Sequence, residues 1–545
     1  MKIVNGGLLG MKSKKNSATK FIFCMILLLQ LLCMFYYGAA KQGYFVDELW
    51  SYGLANSYYH PHVFSNGGFA RGWETGSYFR DYLTVLPNQR FEYGSVFYNQ
   101  ANDYHPPLFY MGLHTVSSLF PNTFSKWYGI VPNIVYFAIS MLILFALAKR
   151  LFRNEWVALI PVIVYGFSAG AISNVVFIRM YVLLTVWVMA LMDLHAKWII
   201  DSTIPKKDYL LLIIVAYLGF MTHYYFFLIA FFTSAFYFFY LLFNKHIADL
   251  LKYCASMIAS LFLVELTFPI AFYKLFSDQR GSEAVQNLFS VSDLFSHAKT
   301  FWKITGQGLF ANSINILMLI LLIGGGATFA DWIRKKKHDK SEHLDSKATD
   351  TVKEEKKRWI SILCMLFMTV CYFVLISKIA PYLSARYLYG VYPVITLIAT
   401  FMIYEILHYW IPEKTVFAIM LIFASALAVF GVSGKNVQYL YPEYKDHENI
   451  IQEYEGDTCL YVATDWYMLT QNALELEHMG IVFVEAPDNI ESLASRINTN
   501  KDHMILYVCD TYDQEDILKR VCTTLGFTDW KPLFSTVYNV YELSR

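Results

Sequence analysis

The sequence predicts a polytopic α-helical membrane protein with a small α/β domain at its C-terminal end. Three observations carry this. Hydrophobic residues make up 56% of the 545-residue chain and charged residues only 16%, where soluble domains carry about a quarter charged. The apolar residues fall in runs long enough to cross a bilayer, which takes about 20 residues of helix. Past residue 435 that pattern stops, and short β-rich runs alternate with amphipathic helical stretches.

Taken in order, spans are expected near 20–40, 127–149, 156–173, 178–200, 208–225, 226–243, 251–272, 307–333, 358–377, 388–409 and 415–433, about eleven in all. The first is read as a span and not a cleaved signal: it is longer than a signal's apolar core, has no small-residue cleavage site and is followed by further spans. The formal net charge of +1 gives no electrostatic case for nucleic acid. Of the eight cysteines, Cys24, Cys33, Cys254, Cys364 and Cys371 lie in apolar runs, where they read as small hydrophobes. Cys459, Cys509 and Cys522 fall near the C-terminus, no Cys-x-x-Cys spacing occurs, and nothing in the spacing supports a Cys459–Cys509 bridge.

Loop charges set the orientation. Lys12, Lys14, Lys15 and Lys20 place the N-terminus in the cytoplasm, with Lys149, Arg150, Arg153, Lys197, Lys206, Lys207 and Lys245 on the same side. The insert 334–358 opens with Arg334-Lys335-Lys336-Lys337, ends with Lys356-Lys357-Arg358 and has no apolar period; it reads as a flexible cytoplasmic linker. Alternation then puts 41–126, 273–306 and the C-terminal segment outside. This requires that 106–120 not span. Fifteen helical residues reach about 22 Å, short of the core, so an interfacial helix is expected there. The organisation is therefore a membrane domain over 1–434, with a large first outer loop at 41–126, and an extracytoplasmic α/β domain over 435–545. The lysine- and aromatic-rich composition fits a bacterial plasma membrane.

In the C-terminal segment, strands are expected at Cys459–Ala463, Ile481–Glu485 and Met504–Cys509, helices at 470–479, 490–498 and 514–525, and a final strand-like stretch from Leu533 to Leu543. It has no glycine-rich phosphate loop and no nucleophile elbow.

Chemistry-bearing residues collect at the outer ends of the spans. Asp47-Glu48 follows the first span, and Asn102-Asp103-Tyr104-His105-Pro106-Pro107 closes the same loop. Carboxylates are costly under lipid but tolerable at the interface, where they can take a proton from an arriving substrate. Adjacent helical residues point about 100° apart, so Asp47 and Glu48 cannot both face one ligand. The proline pair fits a first helical turn and pushes His105 towards an extended conformation. Arg179 and Arg386 offer planar forks matched to phosphate oxygens, with Lys378 near Arg386.

These landmarks resemble the membrane glycosyltransferases of the C-type fold that use polyprenyl-phosphate sugars, including the protein O-mannosyltransferases and the lipid A aminoarabinose transferases. The resemblance runs over about residues 20–410. It rests on Asp47-Glu48, His105-Pro106-Pro107-Leu108, Arg179-Met180-Tyr181, Thr222-His223-Tyr224-Tyr225 and Arg386-Tyr387-Leu388 with Pro393. It implies transfer of a sugar from a lipid phosphate to a hydroxyl of a glycan, lipid or protein, with inversion. Asp47 of the acidic pair inherits the role of base or electrostatic partner. Arg386 inherits phosphate binding with Arg179 and Lys378, while His105, Tyr181, His223 and Tyr224 line the substrate site. No cofactor is required. A divalent ion is the one candidate, through Asp47, Asp103, His105 or His223, but no compact ligand spacing joins them.

Plainer readings stand beside these. An acidic pair also marks a helix end, a turn histidine caps a helix, arginines snorkel to headgroups, and Trp50, Tyr224 and Tyr387 suit an interfacial belt. Glu265 is the one carboxylate well inside a span, as a coupling residue of a transporter would be. A lipid-linked sugar translocase is therefore the alternative. Against it, most polar oddities collect on one outer face rather than at mid-membrane.

Overall fold

The computed structural model describes residues 3–63, 72–276, 278–289, 294–338, 346–464, 467–497 and 502–545. The side chains of Lys12, Lys14 and Lys15 lie outside what is described, as do those of Lys336 and Lys337 and the stretch 339–345 of the charged insert. The chain folds as two units. One comprises 1–39, 104–108 and 130–438; the other comprises 40–103, 109–129 and 439–545.

The first unit is helical. Among the described residues of the chain, nine helices are long and apolar enough to cross a bilayer: Ser17–Ala40, Trp127–Leu151, Tyr181–Asp201, Tyr225–Phe243, Ile247–Thr267, Ile314–Lys335, Val352–Ile379, Tyr389–Trp410 and Glu413–Gly431. The chain is thus a multi-pass membrane protein. Two of the expected eleven spans differ. The stretch near 156–173 is a pair of short helices, Leu159–Gly166 and Ala169–Val176, bent by 59°. The break is built by Ser168, whose Oγ accepts from Ala171 N at 3.1 Å as a cap on the second helix. The stretch near 208–225 is a helix of only 15 residues, Lys206–Phe220, about 22 Å long and short of the core. Leu108–Leu119 is a 12-residue helix, too short to span, as expected.

The charged insert differs from the flexible linker expected. Its second half is the start of a 34-residue helix, Ser346–Ile379. Lys, Glu and Ala are strong helix formers, and charge patterning alone does not make a segment flexible. That helix is also anchored: Arg358 is 7% exposed and bonds the Glu405 carboxylate and the Leu151 carbonyl, while Lys357 Nζ donates to Ile200 O at 2.9 Å.

The second unit contains a six-stranded sheet of order β1-β3-β2-β4-β6-β5: β1 Gly72–Thr75, β2 Thr458–Val462, β3 Ile481–Glu485, β4 His503–Cys509, β5 Asp529–Ser535 and β6 Tyr538–Ser544. The pairs β2–β3 and β2–β4 are parallel, the rest antiparallel. The final stretch is a hairpin rather than a single strand. β1 comes from the first loop and pairs with β3, Trp73 facing Phe483, a link that the sequence does not announce. One face of the sheet is closed by Gln514–Leu525 and the 3-10 stretch Pro487–Ser495, which bury Ile517, Leu518, Val521, Ile490 and Leu493 against Leu460, Leu506 and Val508. All eight cysteines are free, Cys459 and Cys509 included.

Candidate functional site: a cationic cluster and an acidic pair

Four segments of the first unit bring the expected basic and aromatic residues together. The bent pair ends at Val176, and the chain turns through Phe177-Ile178-Arg179 before the helix Tyr181–Asp201. Arg179 N donates to Phe177 O at 2.7 Å in that turn, and the side chain is 4% exposed. Its Nη2 lies 3.3 Å from His105 Nε2. His105 precedes the proline pair, and Leu108 N donates to Met221 O at 3.1 Å, which ties that loop to the turn carrying His223. The His105 and His223 rings are 5.7 Å apart, and Tyr181 lies 5.4 Å from His223. Arg386 sits in the 3-10 turn Ala385–Tyr387, its guanidinium 5.2 Å from the Tyr387 ring and 5.7 Å from that of Tyr382. Tyr372 OH donates to Tyr387 O at 2.6 Å and fixes the turn.

The electrostatics follow. His223 is held well below the usual histidine range, first by burial, then by the positive charges of His105, Arg179 and Arg386. It is therefore neutral at pH 7. Tyr225 N donates to His223 Nδ1 at 3.0 Å, which leaves the proton on Nε2. The result is a cluster of two guanidinium groups and two imidazoles from separate segments. Lys378 ends the helix Ser346–Ile379 seven residues before the Arg386 turn, half-buried. Tyr224 is half-buried beside His223. Over the same loop, Tyr104 OH donates to Gln279 Oε1 at 3.2 Å, and Lys274 pairs with Asp278 at 2.9 Å while lying over the Tyr104 ring.

The acidic pair belongs to the second unit, in the first turn of the helix Val46–Asn56, where carboxylates complement the helix dipole. Its two members have different surroundings. Glu48 is fully buried: its Oε2 accepts from Lys41 Nζ at 3.0 Å and from Phe45 N at 2.8 Å as the far half of a capping box. Lys41 also donates to Tyr439 O at 2.6 Å and lies 5.4 Å from the rings of Tyr44 and Tyr441. Glu48 is thus committed to a buried ion pair with Lys41. Asp47 is half-buried, and its main-chain oxygen accepts from Ser51 Oγ at 2.9 Å. Asp103, also of the second unit, is 5% exposed. Lys41 was not legible in advance: it follows the apolar run as any flanking lysine does.

The residues suggested for a metal divide between the units, Asp47 and Asp103 in one and His105 and His223 in the other. Among the described residues, the compact group of ligand-type side chains is a different one, Glu448, Glu477 and His478. Around His223 the neighbouring charges are positive, which favours an anion over a cation. Glu265 is half-buried in the last turn of Ile247–Thr267, with Oε2 unbonded among the described residues.

No protein-family model matches the chain, and no curated protein matches it. Among solved structures it is similar to ArnT from Cupriavidus metallidurans bound to undecaprenyl phosphate, with a TM-score of 0.47 and 11% identity over 96% of this chain and 98% of that one. The apo state of the same protein gives 0.48 and 10% over the same shares. The arabinofuranosyltransferase AftD from Mycobacteria gives 0.39 and 11%, over 96% of this chain and 40% of that one.

Proposed function

We propose that the protein is a membrane glycosyltransferase that moves a sugar from a polyprenyl-phosphate donor to an acceptor hydroxyl on the extracytoplasmic side. The observation that carries this reading is the convergence of Arg179, His105, His223 and Arg386. Two guanidinium groups near His223 make its surroundings positive, which favours an anionic ligand. Two planar guanidinium forks and an imidazole N–H suit a lipid phosphate that gains charge as it leaves. Lys378 assists at the same end of the fold.

In this reading Asp47 takes the proton from the acceptor hydroxyl as that oxygen attacks the anomeric carbon. The C–O bond to phosphate breaks on the opposite face, which inverts the anomeric centre, and the phosphate leaves with both electrons onto the arginines. Asp47 holds this role by the resemblance of its sequence landmark, and because Glu48 is already spent on Lys41. The N-terminus is cytoplasmic and the second unit extracytoplasmic by the loop charges.

One observation favours the second reading, a lipid-linked sugar translocase: the 59° break between Leu159–Gly166 and Ala169–Val176 is the kind of interrupted helix that transporters place at their sites. The test is label transfer from radiolabelled polyprenyl-phosphate sugars to membrane extract by purified protein, comparing wild type, Asp47→Asn and Arg386→Ala. Transfer by the wild type and its loss in both variants supports the transferase. Movement of label across proteoliposomes without transfer supports the translocase.

A further inference from the structure

A second feature of the first unit is a cavity of about 190 Å3 beside the 385–392 turn. Its lining is polar and aromatic, and contains no carboxylate: Gln307, Tyr389, Tyr392, Lys435, Asn436 and Gln438 supply its functional groups. The Tyr392 ring is fully buried and clasped by two glycines. A Cβ on Gly170 would meet that ring at 2.7 Å, and one on Gly308 at 3.1 Å. A side chain at Gly170 would displace the ring, and one at Gly308 would crowd it.

The hydrogen bonds show which groups are already used. Asn436 Nδ2 donates to Gln307 O at 3.2 Å, Gln438 N donates to Ser173 Oγ at 2.9 Å, and Tyr389 OH donates to Gln438 Oε1 at 3.4 Å. These bonds hold the turn and loop 435–438 in the cavity wall and leave Asn436 Oδ1 and Gln438 Nε2 available. Among the described residues, the Gln307 amide and the Lys435 ammonium make no hydrogen bond or ion pair. The cavity also adjoins the cationic cluster. Ala385, in its lining, is the residue before Arg386, and the Tyr389 ring lies 6.3 Å from that of Tyr181, which faces His223.

We propose that this cavity is the acceptor subsite and that it takes a monosaccharide-sized polyol bearing an anionic group; this deepens the transferase reading and rests on it. The side-chain amides of Gln307, Asn436 and Gln438 can exchange hydrogen bonds with several hydroxyls at once. The ammonium of Lys435, with no acid beside it in the lining, selects an anion, either phosphate or carboxylate. The volume lies below the range of drug-sized pockets, roughly 300–1,000 Å3, and suits one sugar ring rather than an oligosaccharide.

The test is direct binding to the full-length protein in nanodiscs, by calorimetry or saturation-transfer NMR, with four probes: glucose 1-phosphate, glucuronate, glucose and inorganic phosphate. At least one of the two anionic sugars should bind at least tenfold more tightly than glucose or phosphate; which one does identifies the anion. Lys435→Ala, at an exposed position, should remove that tenfold preference and leave glucose unchanged, and Gln307→Leu should weaken all three sugars. Absence of binding by every sugar, or binding that survives both variants and is lost only in Arg386→Ala, overturns the proposal. The transfer assay with Arg386→Ala judges the parent reading separately, since it needs no occupant of this cavity.

Discussion

Two buried sets of charge are worth setting side by side. In the second unit, Lys41 and Glu48 are opposite charges that answer each other, with a backbone carbonyl and a backbone amide completing their shells. In the first unit, Arg179, His105 and Arg386 surround His223 with charge of one sign. The first arrangement is closed and holds the chain end of a span against the segment 439–441. In the second, the neighbours that act on His223 are positive, the sign that an anion would complement.

The comparison can be broken at either end. The largest effect is expected at Arg386: Arg386→Ala should lower transfer by about 10²–10³-fold, the scale for losing one stabiliser of a charged transition state, with thermal unfolding unchanged. A comparable loss of stability would assign Arg386 to the fold instead. Next comes the closed pair. Glu48→Ala leaves a buried ammonium and should cost about 3–5 kcal/mol, whereas replacing both partners by Lys41→Met with Glu48→Leu removes both charges and should cost less, the remaining loss coming from Phe45 N and Tyr439 O. Unfolding midpoints of the two variants measure this, and equal losses would contradict the pairing.

Smaller effects follow from the titrating groups. His223 is already neutral, held low by burial and its cationic neighbours. Its depressed value contributes stability above the unfolded histidine range that is lost as pH falls through it. Transfer should therefore show no limb from this residue between pH 6 and 8, and His223→Gln should leave the shape of the pH profile unchanged; a limb that vanishes in the variant would show that His223 titrates in use. In the second unit, Glu477 is raised to about 7 by burial and by Glu448. Raised above its unfolded value, it contributes stability at acid pH that declines between about 4.5 and 7. Glu477→Gln should flatten that decline in the unfolding midpoint, the smallest of these changes.

Much of the fold is legible because long apolar runs and short β-rich runs are local signals. The spans, the short helix at 108–119 and the parallel strands β2, β3 and β4 are of that kind. What failed was tertiary. The break at Ser168 is a cap inside an apolar run, invisible to a hydropathy window. The charges of the insert 334–358 suggest flexibility, but Arg358 and Lys357 find carbonyls and a carboxylate that only the folded helices supply. Nothing in Gly72–Thr75 announces a partner some 400 residues away. Arg179, Tyr181 and His223 stand out by their place at span ends and His105 by the proline pair that follows it, and the structure brings the four near one another. Asp47 and Glu48 looked alike as letters; only Lys41 tells them apart. Lys435 and Gln307 had no signal, because a lone lysine or glutamine beside a span is ordinary until a cavity gives it meaning.

The central claim is that the cationic cluster holds a lipid phosphate, and affinity for the lipid measures it most directly. Purified protein should bind undecaprenyl phosphate saturably in native mass spectrometry or by phosphorus NMR in nanodiscs. Arg179→Ala and Arg386→Ala should each weaken that binding at least tenfold, about 1.4 kcal/mol, while Glu48→Gln leaves it within twofold in protein that remains folded. Equal binding by wild type and both arginine variants would contradict the account.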